Sequence, residues 1–516
     1  DPSDSDPRFH QQMVYAVIMK VIENFERALG RPFRFSGEKK LTVLPHAFEG
    51  ENAFYDPATT SLHFGYFAAD AEDPGENLPG QTVFSCLSHD IVAHETTHAL
   101  VDRLRDHFNA PTNRDVLAFH EGLADIVAIF QHFSFPEVLR HEIRATRADL
   151  SRPGRLLELA RQFGYATGSG QALRSATGLA GGTPDRKLYE TVVEPHDRGS
   201  ILVAAVFDAF FRIYRNRTAD LIRAVSGGSG ILPAGELQAD LVTLATREAA
   251  QASQEVLIMC LRAFEYLPPV DVTFGDYLRA VVTADFELNP RDDFERRASF
   301  VDSFRARGIY AQNVLSLAEE ALRLERPPGL ESSYLPHNLV TNTLASEFDF
   351  YEGGLRKRRQ ATFAELHEFA TLHAEALQLD PTLEIQIKGF HPSFHVGENG
   401  QLVVELVAQF VQTPKPEDPR RVEDGGVVLR GGTTAVFTAD GSVRYIASRP
   451  LPGSHLVESQ RELAEARVKD FKDYVGALDA RDSLQVWSGS GYAASRMSRR
   501  ADLGASHRSR RSWVPT

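Results

Sequence analysis

Two histidines four residues apart, with a glutamate beside the first, make His94-Glu95-Thr96-Thr97-His98 the stretch of this chain best suited to chemistry. On a helix, residues four apart sit one above the other on one face. Two imidazoles so placed can hold one zinc ion, and the adjacent glutamate can reach a water on that ion and act as a general base. Zinc that does chemistry needs a third protein ligand and an open position for water. Phe119 to Phe130 offers one, because Glu121 and Asp125 are again four apart on a second apolar-periodic segment. One carboxylate can then bind the metal while the other holds the far N–H of a ligand histidine. His120 is the competing third ligand, but Glu121 alone shares a face with Asp125, which favours Glu121. A second pattern, with glycine at 101 and a third histidine at 104, is excluded by Val101 and Leu104.

These residues need elements to position them. Apolar Ile91, Val92, Ala93, Ala99, Leu100 and Leu104 predict a helix around the histidine pair. Ahead of it, Met13, Val17, Val21, Phe25 and Leu29 predict an amphipathic helix over Phe9 to Leu29, closed by Gly30. Strands are predicted at Lys40 to Leu44 and Ser61 to Tyr66, with Asn52-Ala53-Phe54-Tyr55-Asp56 between them. An edge strand there could pair with an extended peptide, although plain sheet structure is the simpler reading of the pattern. Residues 151 to 195 are loop-like and contain Arg174; Glu194-Pro195-His196 then leads into a helix over Ile201 to Tyr214. Further helices are predicted at Leu237 to Phe264, Phe274 to Ala284 and Asp293 to Arg305.

Arg326-Pro327-Pro328-Gly329 suggests a boundary, after which the pattern changes. Phe363 to Leu377 and Glu458 to Leu478 read as helices, and Leu383 to Lys388, Leu402 to Val411, Gly426 to Leu429, Thr433 to Thr438 and Val443 to Ala447 as strands. Asn399-Gly400 and Asp440-Gly441 are hairpin turns. The fold class expected is therefore multi-domain α+β. Residues 1–105 would form a β-containing lobe with the active-site helix, and 106–312 a mainly α-helical lobe. Residues 313–494 would form an α+β domain with an antiparallel sheet, and 495–516 an arginine-rich tail without fixed structure.

Composition narrows the function classes. Of 516 residues, 42% are hydrophobic and 24% charged, which is ordinary for globular proteins. A net charge of −14 argues against nucleic-acid binding. Apolar runs are too short to span a bilayer, so no membrane partner is expected. Cys86 and Cys260 are the only cysteines and are expected as two buried thiols.

The first three hundred or so residues, about 9–312, resemble the thermolysin family of zinc metallopeptidases, the gluzincins. Asn52-Ala53-Phe54-Tyr55 is similar to the family's edge strand, and Asp90 to Ala99 to its zinc helix. His120-Glu121-Gly122-Leu123-Ala124-Asp125 is similar to its glutamate element, and Leu173-Arg174-Ser175 to its arginine segment, while His196 precedes a helix as the family's second catalytic histidine does. The resemblance implies that His94, His98 and Glu121 bind zinc, that Asp125 orients His94, and that Glu95 carries the proton from water to the leaving amine. It further implies that His196 stabilises the oxyanion, that Arg174 holds the substrate carbonyl, and that Asn52 with the Ala53 main chain pairs with a peptide.

The chain also departs from the family. The segment between His98 and Glu121 lacks the family's tyrosine, and His120 stands in place of an asparagine. Asp90 matches a calcium ligand, but His132 and Phe133 stand where its acidic partners would be, which argues against structural calcium. Family membership implies secretion, whereas the cysteine usage and weak calcium ligation lean toward the cytoplasm. The expected function is a zinc endopeptidase acting on peptides or proteins. The competing expectation is a zinc-bearing binding module, weak or inactive as a peptidase, that presents the C-terminal domain to a protein partner.

Overall fold

The computed structural model describes residues 5–33, 35, 40–72, 77–133, 135–151, 188–348, 352–397, 400–424, 426–453 and 458–479. The expected stretch around Arg174 and the arginine-rich tail lie outside the described residues. Helix α1 (Pro7–Leu29) opens the chain and ends at Gly30. Four strands follow: β1 (Thr42–Glu49), β2 (Ala53–Asp56), β3 (Ser61–Ala68) and β4 (Thr82–Phe84). The sheet is mixed, with β1 parallel to β3 while β2 and β4 run antiparallel to it. The strand expected at Lys40 to Leu44 starts at Thr42 and runs on through Pro45 and His46. Pro45 is tolerated because β1 is an edge strand whose pairing shifts register between Leu44 and Phe48, so no ladder hydrogen bond is lost there.

A 3₁₀ turn (Ser85–Leu87) leads to α2 (His89–Leu104), capped by the Ser88 side chain, and α3 (Arg114–His132) is capped by Asn113. Residues Val92 to Val101 of α2 and Asp115 to Gln131 of α3 are all buried, so neither helix keeps a solvent face along these stretches. The sheet and α1 cover α2, while α3 is sandwiched between α2 and later helices. Those are α4 (Pro136–Ala145), α5 (Leu188–Thr191), α6 (Pro195–Val225), α7 (Ala239–Arg262), α8 (Phe274–Leu288), α9 (Arg296–Ala306) and α10 (Glu319–Leu322). Among the described residues, no helix is long and apolar enough to cross a membrane. Cys86 and Cys260 are both buried free thiols, as expected.

Two glycines set the distance between α3 and α6. A Cβ on Gly199 would lie 2.9 Å from the Ala118 carbonyl oxygen and 3.3 Å from the Glu121 Cβ, and one on Gly122 would lie 2.8 Å from the Gly199 oxygen. The helices therefore touch backbone to backbone at Glu121, which brings the first turn of α6 against that residue.

Beyond residue 330 come α11 (His337–Phe348), α12 (Glu352–Leu372) and a four-stranded antiparallel sheet ordered β10-β9-β6-β5. Its strands are β5 (Gln386–Val396), β6 (Leu402–Gln412), β9 (Gly431–Thr438) and β10 (Val443–Arg449); β7 (Glu423–Asp424) pairs with β8 (Val427–Val428), and α13 (Glu458–Asp479) ends the described chain. Strand β5 is longer than the expected Leu383 to Lys388. Gly389, Pro392 and three polar positions break its apolar alternation, and it is an edge strand with a register shift between Ile387 and Gly389. Both faces of this sheet are covered. Leu406, Ala408, Phe410, Ala435 and Phe437 pack with α11 and α12 residues, while Val407 and Val436 join the core of the helical region.

The contact between the second sheet and the helices is ionic as well as apolar. Arg262 at the end of α7 pairs with Glu405 at 2.8 Å, both almost fully buried, and donates to His395 Nδ1 at 2.7 Å. Tyr266 donates to Glu405, and Glu265 joins His391 at 2.9 Å to Arg31 at 3.1 Å. Burial, then the charges of Arg262 and Arg444, push the His395 imidazole down to about 3. Its ordinary value is 6.5, so between those limits the unfolded chain binds a proton that the folded chain refuses. The stability linked to this group is full above pH 6.5 and is lost as pH falls toward 3.

Two predictions follow from these contacts. The melting temperature of His395→Gln will fall less steeply than the parent's between pH 6.5 and pH 4; equal slopes would contradict the assignment. Gly199→Val will destabilise the chain by about 1–3 kcal/mol through overpacking, measured as a lower urea midpoint. Gly476→Ala, where an added Cβ meets nothing within 4 Å, will leave the midpoint unchanged or slightly raised.

Candidate metal centre

The paired histidines of α2 and Glu121 of α3 converge. His94 Nε2 and His98 Nε2 stand 2.9 Å apart, and Glu121 Oε2 lies 3.4 Å from the first and 3.5 Å from the second. Ligand atoms bound at about 2.0–2.1 Å around a tetrahedral ion are spaced by about 3.3 Å, so these three separations fit one face of such a shell. Glu121 Oε2 is buried and, despite three nearby imidazoles, makes no hydrogen bond of acceptable geometry. A buried acceptor left in that state is costly unless a cation satisfies it. Together the donor set and this orphaned oxygen fit a divalent metal ion.

The far nitrogens complete the arrangement. Asp125 Oδ1 lies 2.9 Å from His94 Nδ1, as expected from the i, i+4 spacing with Glu121. This contact favours the tautomer that leaves Nε2 as a lone pair. His120 does not join the converging atoms. Its Nδ1 lies 2.7 Å from Nδ1 of His98, with the two rings stacked. Burial, then the neighbouring His98, push His120 well below the ordinary histidine range, and a neutral His120 can accept the His98 N–H when His98 carries its proton on Nδ1. It thus does for His98 what Asp125 does for His94, a role that sequence reasoning missed by weighing His120 only as a ligand.

The electrostatics favour positive charge at this point. Burial opposes ionisation of both His94 and Glu121. Asp125 and Glu121 nonetheless raise His94 well above its ordinary value, and His196 with His98 hold Glu121 well below its own. Carboxylates that draw a proton onto a buried imidazole will equally draw a cation. Glu95 is 3% exposed, and burial raises its carboxyl above the ordinary range. A Glu95 oxygen lies within 4.8 Å of a ring nitrogen on each of His94 and His98. It also accepts from the Tyr55 main-chain N–H at 2.9 Å, so the edge strand fixes the orientation of this carboxylate.

His196 sits in the first turn of α6, with Nε2 3.4 Å from Glu121 Oε2. Its Nδ1 lies 2.9 Å from Glu194 Oε1, and the other Glu194 oxygen caps the helix by accepting from the Asp197 N–H. Glu194 therefore orients His196. The sequence held a weak sign of this, a carboxylate two residues ahead of a histidine, but the apolar pattern starts the helix at Ile201, whereas α6 begins at Pro195 and makes Glu194 its cap. Arg198, paired with Asp115 at 2.6 Å, ties the same turn to α3.

Asn52 and Ala53 lie at the start of the edge strand. The Asn52 carbonyl accepts from Gly65 N–H at 2.8 Å, so by alternation Ala53 and Tyr55 turn their main-chain groups away from β3, toward α2. The Ala53 N–H is taken by the Asn52 side-chain oxygen at 3.0 Å, while the Asn52 Nδ2 is buried without a hydrogen-bond partner. Asp90, at the start of α2, pairs closely with His132 rather than with carboxylates. Arg174 lies outside the described residues. A cavity of about 760 Å³ along the C-terminal half of α6, lined by Phe207, Asp208 and Arg307, shares no residue with this cluster.

If Asp125 orients His94 toward a metal, Asp125→Ala will weaken metal affinity by about 10–100-fold. Competition with a chromophoric chelator measures this; an unchanged affinity would remove Asp125 from the site. Comparison of the chain with protein-family models, with curated proteins and with solved structures finds no match, so the chemistry must be read from these residues.

Proposed function

We propose that this chain is a zinc-dependent endopeptidase of the thermolysin-like kind. The observation that carries the reading is the convergence of His94 Nε2, His98 Nε2 and Glu121 Oε2 beside a carboxylate, Glu95, that the sheet edge holds in place. Two imidazoles and one carboxylate are a common protein share of a hydrolytic zinc site. Zinc supplies Lewis acidity there, lowering the pKa of water toward about 7 and polarising a carbonyl.

The chain's own groups do the rest. Glu95 accepts the proton of the attacking water and returns it to the leaving amine. His196, oriented by Glu194, in its protonated form donates its Nε2–H to the oxyanion that forms on the scissile carbonyl. Asp125 and His120 hold the two ligand imidazoles in the tautomers that present Nε2. The Ala53 carbonyl, on the side of the strand away from β3, and the Asn52 amide are proposed to pair with an extended peptide, and Arg174 is a proposed contact to a substrate carbonyl. This reading carries with it a peptide or protein substrate.

One observation favours a second reading. His196 Nε2 is as near to Glu121 Oε2 as His94 Nε2 is, at 3.4 Å. With a neutral imidazole it could serve as a fourth protein ligand and close the site, as in a structural metal centre within a binding module. His196→Ala separates the two. In the peptidase it lowers kcat by about 10²–10³ with metal content intact, whereas in the closed site it lowers metal affinity.

The direct test of the first reading is Glu95→Gln. With zinc loaded, this variant will cleave casein about 10²–10⁴ times more slowly than the parent while metal analysis still finds zinc bound. A chelator will abolish parental activity and added zinc will restore it. Casein cleavage by Glu95→Gln at the parental rate would overturn the proposal.

A further inference from the structure

A second group of side chains able to bind a metal, sharing no residue with the His94 cluster, brings together two histidines and a cysteine. His10 comes from α1, His46 from β1 and Cys86 from the 3₁₀ turn that precedes α2. His10 Nδ1 lies 2.8 Å from His46 Nε2, and each residue offers one ligand atom such that all three atoms lie within 4.8 Å of one another. His10 is 1% exposed and Cys86 is fully buried, while His46 reaches the surface. The Phe84 ring packs against both imidazoles, with centroids 4.6 and 4.8 Å away.

A buried histidine beside a buried cysteine is ordinary core structure. Here, however, two imidazoles and a thiol come together from three separate elements, and the cluster contains no carboxylate. That donor set distinguishes among ions. Calcium and magnesium require oxygen, whereas thiolate with imidazole suits zinc and its close relatives. His46 is exposed, so the cluster borders solvent at that residue.

We propose that His10, His46 and Cys86 form a second zinc site, which staples α1 to the N-terminal sheet and to the turn that launches α2. On binding, the Cys86 S–H bond gives way to a sulfur–metal bond and the proton leaves to solvent. The site stands independently of the centre at His94, and either can exist without the other.

Cobalt(II) is the probe, because a thiolate ligand to cobalt produces a charge-transfer absorption that a site of imidazoles and carboxylate alone cannot give. Full-length chain stripped with chelator and titrated with cobalt chloride will show this absorption. Cys86→Ser will abolish it, and His46→Ala, a surface change that tests the site even if Cys86→Ser fails to fold, will weaken its appearance about tenfold or more. His94→Ala will leave the absorption in place, which separates this site from the first. The proposal fails if saturating cobalt gives the parent no thiolate absorption, or if the absorption persists in Cys86→Ser or is undiminished in His46→Ala.

Discussion

The Glu121 carboxylate sits 2% exposed among three imidazole nitrogens at 3.4–3.5 Å, and most of the surrounding architecture bears on that placement. Burying so many ionisable groups together is expensive unless each has a partner of opposite charge or a metal. The protein concentrates them where α2, α3 and the first turn of α6 meet. The backbone contact at Gly122 and Gly199 makes the meeting possible, because any larger side chain would push His196 away from Glu121. An ion at this point would relieve the cost, replacing shared protons with bonds to lone pairs that Asp125 and His120 already aim.

The site was legible in the sequence to the extent that it was written in helical spacing. Four-residue intervals on α2 and α3 predicted that His94 would stack on His98, and that Glu121 and Asp125 would face the same way. They could not show that His120, one residue from Glu121, would turn its ring to the back of His98, because that depends on the crossing of two helices. Glu194 was hidden for a different reason. The apolar pattern starts the helix at Ile201, so Glu194 falls outside it, and only the longer observed helix makes it both a cap and a partner of His196. The hold of Tyr55 on Glu95 is a main-chain contact and leaves no mark in side-chain patterns.

The fold was read well where one face of an element is apolar and poorly where a strand mixes polar and apolar partners. Helix α1 follows its periodicity, and the strands β6, β9 and β10 lie close to the expected positions. Strands β1 and β5 were read short because each carries a proline and a register shift, and both are edge strands that tolerate such interruptions. In β5 the polar positions have a purpose that alternation cannot convey: His391 and His395 face Glu265 and Arg262 of the helical region. The same ionic contacts bind the second sheet to the elements behind the candidate metal centre. Phe471 and Val475 of α13 likewise cluster with Ala110, just ahead of the Asn113 cap of α3. The C-terminal part of the chain therefore buttresses the helix that supplies Glu121.

The most direct test of the central claim is a crystal structure of the zinc-soaked chain with anomalous scattering recorded at the zinc absorption edge. The account predicts a peak bonded to His94 Nε2, His98 Nε2 and a Glu121 oxygen, with solvent in the remaining position and Glu95 within reach of it. The absence of a peak there, or a shell completed by His196, would contradict it.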